Sequence, residues 1–307
     1  MITDLIDDFL TVLNKEGLKA SSVKRYSADL QQFLIWLENN AMQTDIESLQ
    51  CLSAADLNKY RDYLSSHDYS DDTVRRLYVV LNRFFVHLGL NIPLDQLQAS
   101  SQVKRDLTAG DFVTKQELNK LLTSMQSSSY MAPGAALETR IKLMDRNMSI
   151  VVLISTYGLS PAEIYSIDMN DINFAQSVIT VDNRRIQILN EHIAVILRYF
   201  NSIPEALRPR YRTSDPLFVA FYNIQSTYRF DYQSGKPSRL SIRSIQHMIQ
   251  SEIYLAGLRK ITAINLRNTC ILEALKSGKQ DDDIVHFFGF KSSFSLHRYK
   301  RYLSSIK

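Results

Sequence analysis

The sequence predicts a mainly α chain of two domains, the second carrying a small β-sheet. Three observations lead there. The chain has 307 residues, more than the roughly 100–200 that one domain commonly uses. Apolar residues recur at spacings of three and four through residues 1–92, the signature of amphipathic helices. Residues 93–113 then lose all periodicity, and a second helical run opens at Thr114. The composition, 45% apolar and 22% charged, is that of a globular chain able to bury a core in each part.

In the first part, Ile2, Leu5, Ile6, Phe9, Leu10 and Leu13 form one apolar stripe. Ser22 opens a second helix that turns Leu30, Phe33, Leu34 and Leu37 to one side. A third begins near Ser53 and carries Leu57, Tyr60 and Leu64. Ser70-Asp71-Asp72-Thr73 starts a fourth, with Val74, Leu77, Leu81, Phe84, Phe85 and Leu88 inward. Ser and Asp are good N-caps because their side-chain oxygens accept from the first free N–H groups. Gly89 and Pro93 end the run.

In the second part, Thr114-Lys115-Gln116-Glu117 is a capping box leading into Leu118, Leu121, Leu122 and Met125. Residues 127–131, with Pro133-Gly134 after them, read as a loop, and residues 148–157 as a buried helix. Residues 178–188 alternate apolar and polar about Asp182-Asn183, which predicts a hairpin. Residues 205–240 read as an irregular loop, and 241–255 and 269–276 as helices.

Composition bounds function as well. Cys51 and Cys270 are far apart and lack partners at metal-ligand spacing, which excludes a disulfide framework and suits a reducing compartment. No run approaches the roughly 18 apolar residues of a spanning helix. The start, MITDLIDDFL, is acidic rather than signal-like. A cytoplasmic protein with no membrane partner is expected. The net charge is only +4, but it is unevenly placed. Through Asp95 there are 9 Lys and Arg against 14 Asp and Glu; from Gln96 onward there are 27 against 18. A basic second part suits a nucleic-acid partner, since phosphates reward Lys and Arg through counterion release.

Several short patterns share one order. Ser22, Tyr26, Asp29, Leu30 and Phe33 form the first, and Thr73, Val74, Arg76, Leu81, Phe84 and Phe85 the second. The Thr114 capping box follows, then Tyr157-Gly158-Leu159-Ser160-Pro161-Ala162-Glu163-Ile164. The last forty-six residues bring Thr262-Ala263-Ile264-Asn265-Leu266-Arg267-Asn268-Thr269, then Phe288-Gly289-Phe290, then Tyr299 nine residues further on. In this order they resemble the tyrosine recombinase (phage integrase) family, Xer-like members above all. The resemblance covers nearly the whole chain. It implies a four-helix, SAM-like core-binding domain over 1–92, a linker over 93–113 and a catalytic-type domain over 114–307, the two closing as a C-shaped clamp on duplex DNA.

The resemblance also implies a chemistry and shows where this chain departs from it. Such an enzyme cuts DNA by attack of a Tyr hydroxyl on a phosphodiester, leaving a 3′-phosphotyrosyl link. A tyrosine with a pKa near 10 needs help to lose its proton. The transition state gathers charge on oxygens that two Arg forks normally meet. Of the family's set, Tyr299 and Arg267 match. Ser160 stands where the first Arg is expected, and Ile264 and Phe290 where two His are expected. The hairpin tip, Asp182-Asn183-Arg184-Arg185, lacks the proton-donating Lys. Glu163 matches a bracing acid and is able to pair with Arg267. His286 and His297 are the candidate substitutes for the missing His. Arg75, Arg76, Arg83, Arg184, Arg185, Arg239 and Arg243 fall where family members touch DNA. No metal and no small-molecule cofactor is implied. Only eight residues follow Tyr299, so exchange of a tail helix between protomers is not expected.

The expectation is a DNA-binding protein of the recombination and integration class with weakened or lost strand cleavage. It would work with a partner recombinase or by self-association on DNA. An active recombinase with a rebuilt site around Tyr299 is one alternative. A protein-interaction scaffold that has given up DNA is the other.

Overall fold

The computed structural model describes residues 2–18, 20–90, 105–127 and 134–306. They divide into two compact units, Met1–Lys104 and Arg105–Lys307. Among them no helix is long and apolar enough to cross a membrane.

The first unit holds α1 (Ile2–Lys15), α2 (Ala20–Asn39), α3 (Ile46–Gln50), α4 (Ala54–Ser66) and α5 (Asp71–His87). The caps anticipated at Ser53 and Ser70 are present, whereas Ser22, expected to open the second helix, lies inside α2. Ser53 and Asp56 close a capping box at the start of α4, and the Ser70 hydroxyl accepts from Thr73 N at 3.3 Å. The single-turn α3, capped by Asp45, is too short to register as a periodicity. The core gathers around Tyr60, whose ring lies 5.0 Å from both Phe33 and Trp36. Asp29 is buried beside it and paired with Arg76 at 2.9 Å.

The second unit runs α6 (Lys115–Gln126), α7 (Ala135–Ser155), α8 (Pro161–Ser166), β1 (Ile172–Asn173), β2 (Val178–Val181), β3 (Arg184–Gln187) and α9 (Asn190–Ser202). Two short hairpins follow: β4 (Phe221–Tyr222) with β5 (Thr227–Tyr228), and β6 (Phe230–Asp231) with β7 (Lys236–Pro237). The chain then closes through α10 (Ile242–Leu255), α11 (Ala263–Lys276), α12 (Asp281–Phe288) and α13 (His297–Ser305). The C-terminal half of α7 is buried on every side, from Ile150 through Ile154, and forms the centre of the main core. This matches the buried helix expected over 148–157, although α7 begins earlier. The stretch read as an irregular loop, 205–240, contains the two hairpins. Their two-residue strands are too short for an alternation to show.

The sheet is antiparallel in the order β1-β2-β3, with Ile179 opposite Ile186 and Val181 opposite Arg184. Asp182 and Asn183 both take positive φ, 46° and 63°, as a type I′ hairpin turn requires. The strand period then fixes the side chains: Arg184 and Ile186 point inward, Arg185 and Gln187 outward.

One boundary differs from expectation. Residues 91–104 of the expected linker lie outside the described residues, as do residues 128–133 of the expected loop. Residues 105–113, however, belong to the second unit. Leu107 and Phe112 are buried against Ile271, Leu272 and Tyr299. Side chains of α11 satisfy the backbone there: Asn265 Nδ2 donates to Gly110 O at 3.2 Å, Asn268 Nδ2 to Asp111 O at 3.2 Å, and Val113 N donates to Thr269 Oγ1 at 2.7 Å. An extended strap lacks periodicity for the same reason a linker does, so the sequence pattern does not separate them.

The end of α7 meets the end of α12 at Gly158. It has φ +66°, and a Cβ there would lie 2.1 Å from the Phe288 ring. Left-handed backbone costs a non-glycine residue about 1–2 kcal/mol, and the ring has no room to retreat within its cluster. Gly158→Ala should lower the stability of the second unit by on the order of 3 kcal/mol, read as a shifted midpoint in chemical denaturation.

Candidate functional site

Four elements converge on one carboxylate. Glu163 lies in the first turn of α8, where Ser160 caps the helix and Pro161 sits at its first position. The Ser160 N–H donates to Glu163 Oε2 at 2.7 Å, and Glu163 N donates to Ser160 Oγ at 3.2 Å. Arg267, on α11, reaches the same Oε2 at 2.6 Å and donates its second terminal nitrogen to Phe288 O at 2.7 Å. Arg184, from β3, pairs with the other oxygen, Oε1, and donates to Phe287 O. One acid therefore holds two guanidinium groups, and each guanidinium also bonds a carbonyl in the last turn of α12.

Burial alone would push the Glu163 carboxyl up. The bonds from Ser160 and the charges of Arg267 and Arg184 outweigh it and hold the group below the usual carboxylate range. Gly289 makes the close approach possible: it is left-handed at φ +65°, and a Cβ there would lie 3.0 Å from the Arg184 guanidinium carbon.

Tyr299 stands on α13 with its side chain buried. Its hydroxyl donates to Asn268 Oδ1 at 2.7 Å. Burial pushes its pKa up, against a smaller downward pull from Arg298 and Arg267. Arg267, the residue before Asn268 on α11, is one of the charges that act on the phenol. An amide does not titrate. Its oxygen accepts a hydrogen bond from the neutral phenol but is too weak a base to take the proton.

The remaining candidate residues distribute as follows. Ile264 is 69% exposed in the first turn of α11. Phe290 is half-buried, its ring centroid 5.9 Å from the Arg267 guanidinium. Neither His286 nor His297 reaches the cluster. His286 is on the exposed face of α12, and His297 packs on the Phe294 ring at 5.0 Å. Neither bonds the Tyr299 hydroxyl, which meets Asn268 instead.

Arg184 also needs correction as a DNA-contact candidate. The inward phase of β3 buries it on Glu163, and only Arg185 faces out. Several other arginines of that set are committed within the chain. Arg76 pairs with Asp29, Arg83 with Glu16 at 3.1 Å, and Arg239 with Asp168 and the Tyr165 carbonyl. Arg75 is half-buried, whereas Arg185 and Arg243 are exposed. Sequence reasoning missed Asn268 as the partner of Tyr299. It also missed the Ser160–Glu163 capping box, although Ser-Pro-x-Glu is a helix-start signal.

Glu163→Gln leaves two guanidinium groups around a neutral amide and should cost about 3–5 kcal/mol at neutral pH. The folded pKa of Glu163 is depressed, so its contribution is present above the unfolded carboxyl value of about 4.3 and is lost as pH falls toward the lower folded value. The stability gap between the unmodified chain and Glu163→Gln should accordingly narrow below about pH 4.3. Urea titrations of both proteins across that range test the sign.

Comparison with known proteins places these residues in a shared frame. The profile of the phage integrase family matches residues 111–304. A tyrosine recombinase XerD of Listeria innocua is 27% identical over 223 residues, 69% of each chain. A tyrosine recombinase XerA of Pyrococcus furiosus is 23% identical over 305 residues, 97% of this chain and 90% of the relative. Among solved structures, XerH bound to its difH substrate superposes with a TM-score of 0.63 at 18% identity, over 92% of this chain and 78% of that one. The Tn1549 transposon integrase in complex with transposon right end DNA gives 0.65 at 14% identity, over 97% and 94%. These likenesses agree with the mainly α, two-domain architecture.

Proposed function

The chain belongs to the phage integrase family, and we propose that it binds duplex DNA as a recombinase-type protein whose strand cleavage is weakened or lost. The observation that carries this reading is the bond from the Tyr299 hydroxyl to Asn268, in a buried setting that disfavours the phenolate. A nucleophilic tyrosine has to shed its proton, and the two side chains at the expected histidine positions, Ile264 and Phe290, carry none. Arg267 keeps the phosphate-facing half of the chemistry, because a guanidinium has five donors and only two are spent on Glu163 and Phe288.

Magnitudes favour loss over retention. One missing oxyanion-type donor costs roughly 10²–10³ in rate, and each acid–base partner roughly 10²–10⁴. These losses overlap rather than add, but the sum is still too slow for useful strand exchange. Binding survives such losses, because phosphate contacts need charge and not proton transfer. The relatives named above as recombinases, and the solved complexes with DNA, support duplex DNA as partner. A second copy of the chain or a companion recombinase on the same DNA fits the same reading. One observation favours the alternative of a rebuilt active site: two guanidinium groups, Arg184 and Arg267, still share Glu163.

Trapping on a nicked suicide duplex, followed by denaturing electrophoresis, separates the two. The unmodified protein should yield little or no covalent adduct. A robust adduct that Tyr299→Phe abolishes would establish the rebuilt site instead. Binding itself should weaken steeply with salt, and Arg185→Ala and Arg243→Ala should each flatten the slope of log affinity on log salt by about 0.9. A flat salt response in the unmodified chain would remove DNA as the partner and leave the scaffold reading.

A further inference from the structure

A cleft of about 890 Å³ lies between α7, α10 and the β4–β5 hairpin, a volume in the range of small-molecule sites. Helical spacing builds its long walls. Leu143 and Asn147 look in from α7, Met248 and Glu252 from α10, and Phe221 closes the side of the hairpin. Among the described residues, none of Glu163, Arg184, Arg267 and Tyr299 lines it.

Its charge is uneven. Arg140, Arg146, Arg229 and Arg243 line the cleft against one carboxylate, Glu252. Arg140 is 9% exposed and Arg146 5%, so both belong to the floor. Both oxygens of Glu252 are spent there: Oε2 accepts from Arg140 at 2.9 Å, and Oε1 from Asn147 Nδ2 at 3.0 Å. The bonds of Arg146 go elsewhere. Its Nε and Nη2 donate to Asn147 Oδ1 at 3.2 and 3.1 Å, and Nη1 donates to Val219 O at 3.2 Å. Those acceptors are neutral. Burial pushes the Arg146 pKa down, against smaller upward pulls from Tyr199, Tyr228 and Glu252. A buried charge is normally matched by an opposite one or neutralised, and a guanidinium does not give up its proton. The floor therefore holds one more positive charge than negative.

We propose that this cleft binds a small organic phosphate, of the class of the nucleoside phosphates, with the phosphoryl group on Arg146 and the apolar body against Leu143, Phe221 and Met248. Guanidinium forks match phosphate oxygens. The double charge of a phosphoryl group suits the floor together with the exposed Arg229 and Arg243 better than a single carboxylate does. The same phosphate chemistry exists in duplex DNA, but there the neighbouring nucleotides hold each phosphate at the surface. A duplex reaches the exposed arginines and not a floor residue as buried as Arg146. The inference stands apart from the DNA-binding reading.

Calorimetric titration of the full chain with ATP, and separately with inorganic pyrophosphate, tests it. One ATP should bind per chain, and pyrophosphate, which lacks the apolar body, should bind more weakly. Asn147→Asp puts a carboxylate beside Arg146 and should weaken ATP by about tenfold or more. Arg229→Ala removes a charge from the mouth and should weaken ATP by about tenfold. Affinity for a duplex of mixed sequence should be the same for Asn147→Asp as for the unmodified chain. Absence of ATP binding overturns the proposal, as does ATP binding that neither variant weakens. Pyrophosphate bound as tightly as ATP overturns the role of the apolar walls. If Asn147→Asp weakens the duplex as much as it weakens ATP, the phosphate belongs to DNA and the small-molecule source is overturned. Should Asn147→Asp fail to fold, Arg229→Ala decides: loss of ATP affinity supports the cleft and its retention overturns it. A chain that binds no duplex has failed the DNA reading, and the ATP titration still decides this one.

Discussion

Glu163 has to satisfy two guanidinium groups and a backbone N–H at the same time, and the meeting of four elements depends on how it does so. Its two oxygens face different elements. One takes the helix cap and Arg267, the other takes Arg184 from the sheet. Because each arginine continues to a carbonyl of α12, the carboxylate ties α8, β3, α11 and the last turn of α12 into one polar joint. Such a joint tolerates little adjustment. Unpaired buried charge is expensive, so its members stay together or the unit loses several kcal/mol. Gly158 and Gly289 are what let the surrounding chains come close enough for it to form.

Much of the architecture was legible in the sequence because it follows from local rules. The capping boxes at Ser53 and Thr114 and the Asp182-Asn183 turn each have a signal a few residues long. The shared frame also located Arg267, Glu163 and Tyr299, and the pairing of the first two. Partners chosen across sequence distance were not legible. The direction of Arg184 depends on the register of a four-residue strand, and a shift of one residue would have sent Arg185 inward instead. Asn268 meets Tyr299 across 31 positions, a distance over which no periodicity operates. The commitment of Arg76, Arg83 and Arg239 to acids within the chain shows the same limit: charge is countable from sequence, but its availability is a property of packing.

Tyr299 illustrates how burial and chemistry work against each other. Packing the ring among Phe112, Ile271 and Leu296 stabilises the C-terminal cluster and fixes α13. The same burial raises the cost of the phenolate and leaves the hydroxyl only an amide to bond. The place of a tyrosine in such a frame therefore has a packing role as well as any chemical one. Its presence is weak evidence for activity, and its hydrogen-bond partner is the more informative observation.

The strap of residues 105–113 has a practical bearing on how the second unit is handled in isolation. Phe112 stacks on Tyr302 with centroids 4.5 Å apart and meets Tyr299 edge-on at 6.5 Å. Asn265, Asn268 and Thr269 are bonded to the same nine residues. A fragment begun at Thr114, where the helical pattern resumes, would strip an aromatic lid from Tyr299 and Tyr302 and leave those polar side chains of α11 unmatched. Asn268 would lose the carbonyl that orients its amide, and the tyrosine it holds would be freed with it. A cut made at 114 would thus alter the very hydroxyl such a fragment would be made to study, whereas a cut before Arg105 keeps it in its native setting.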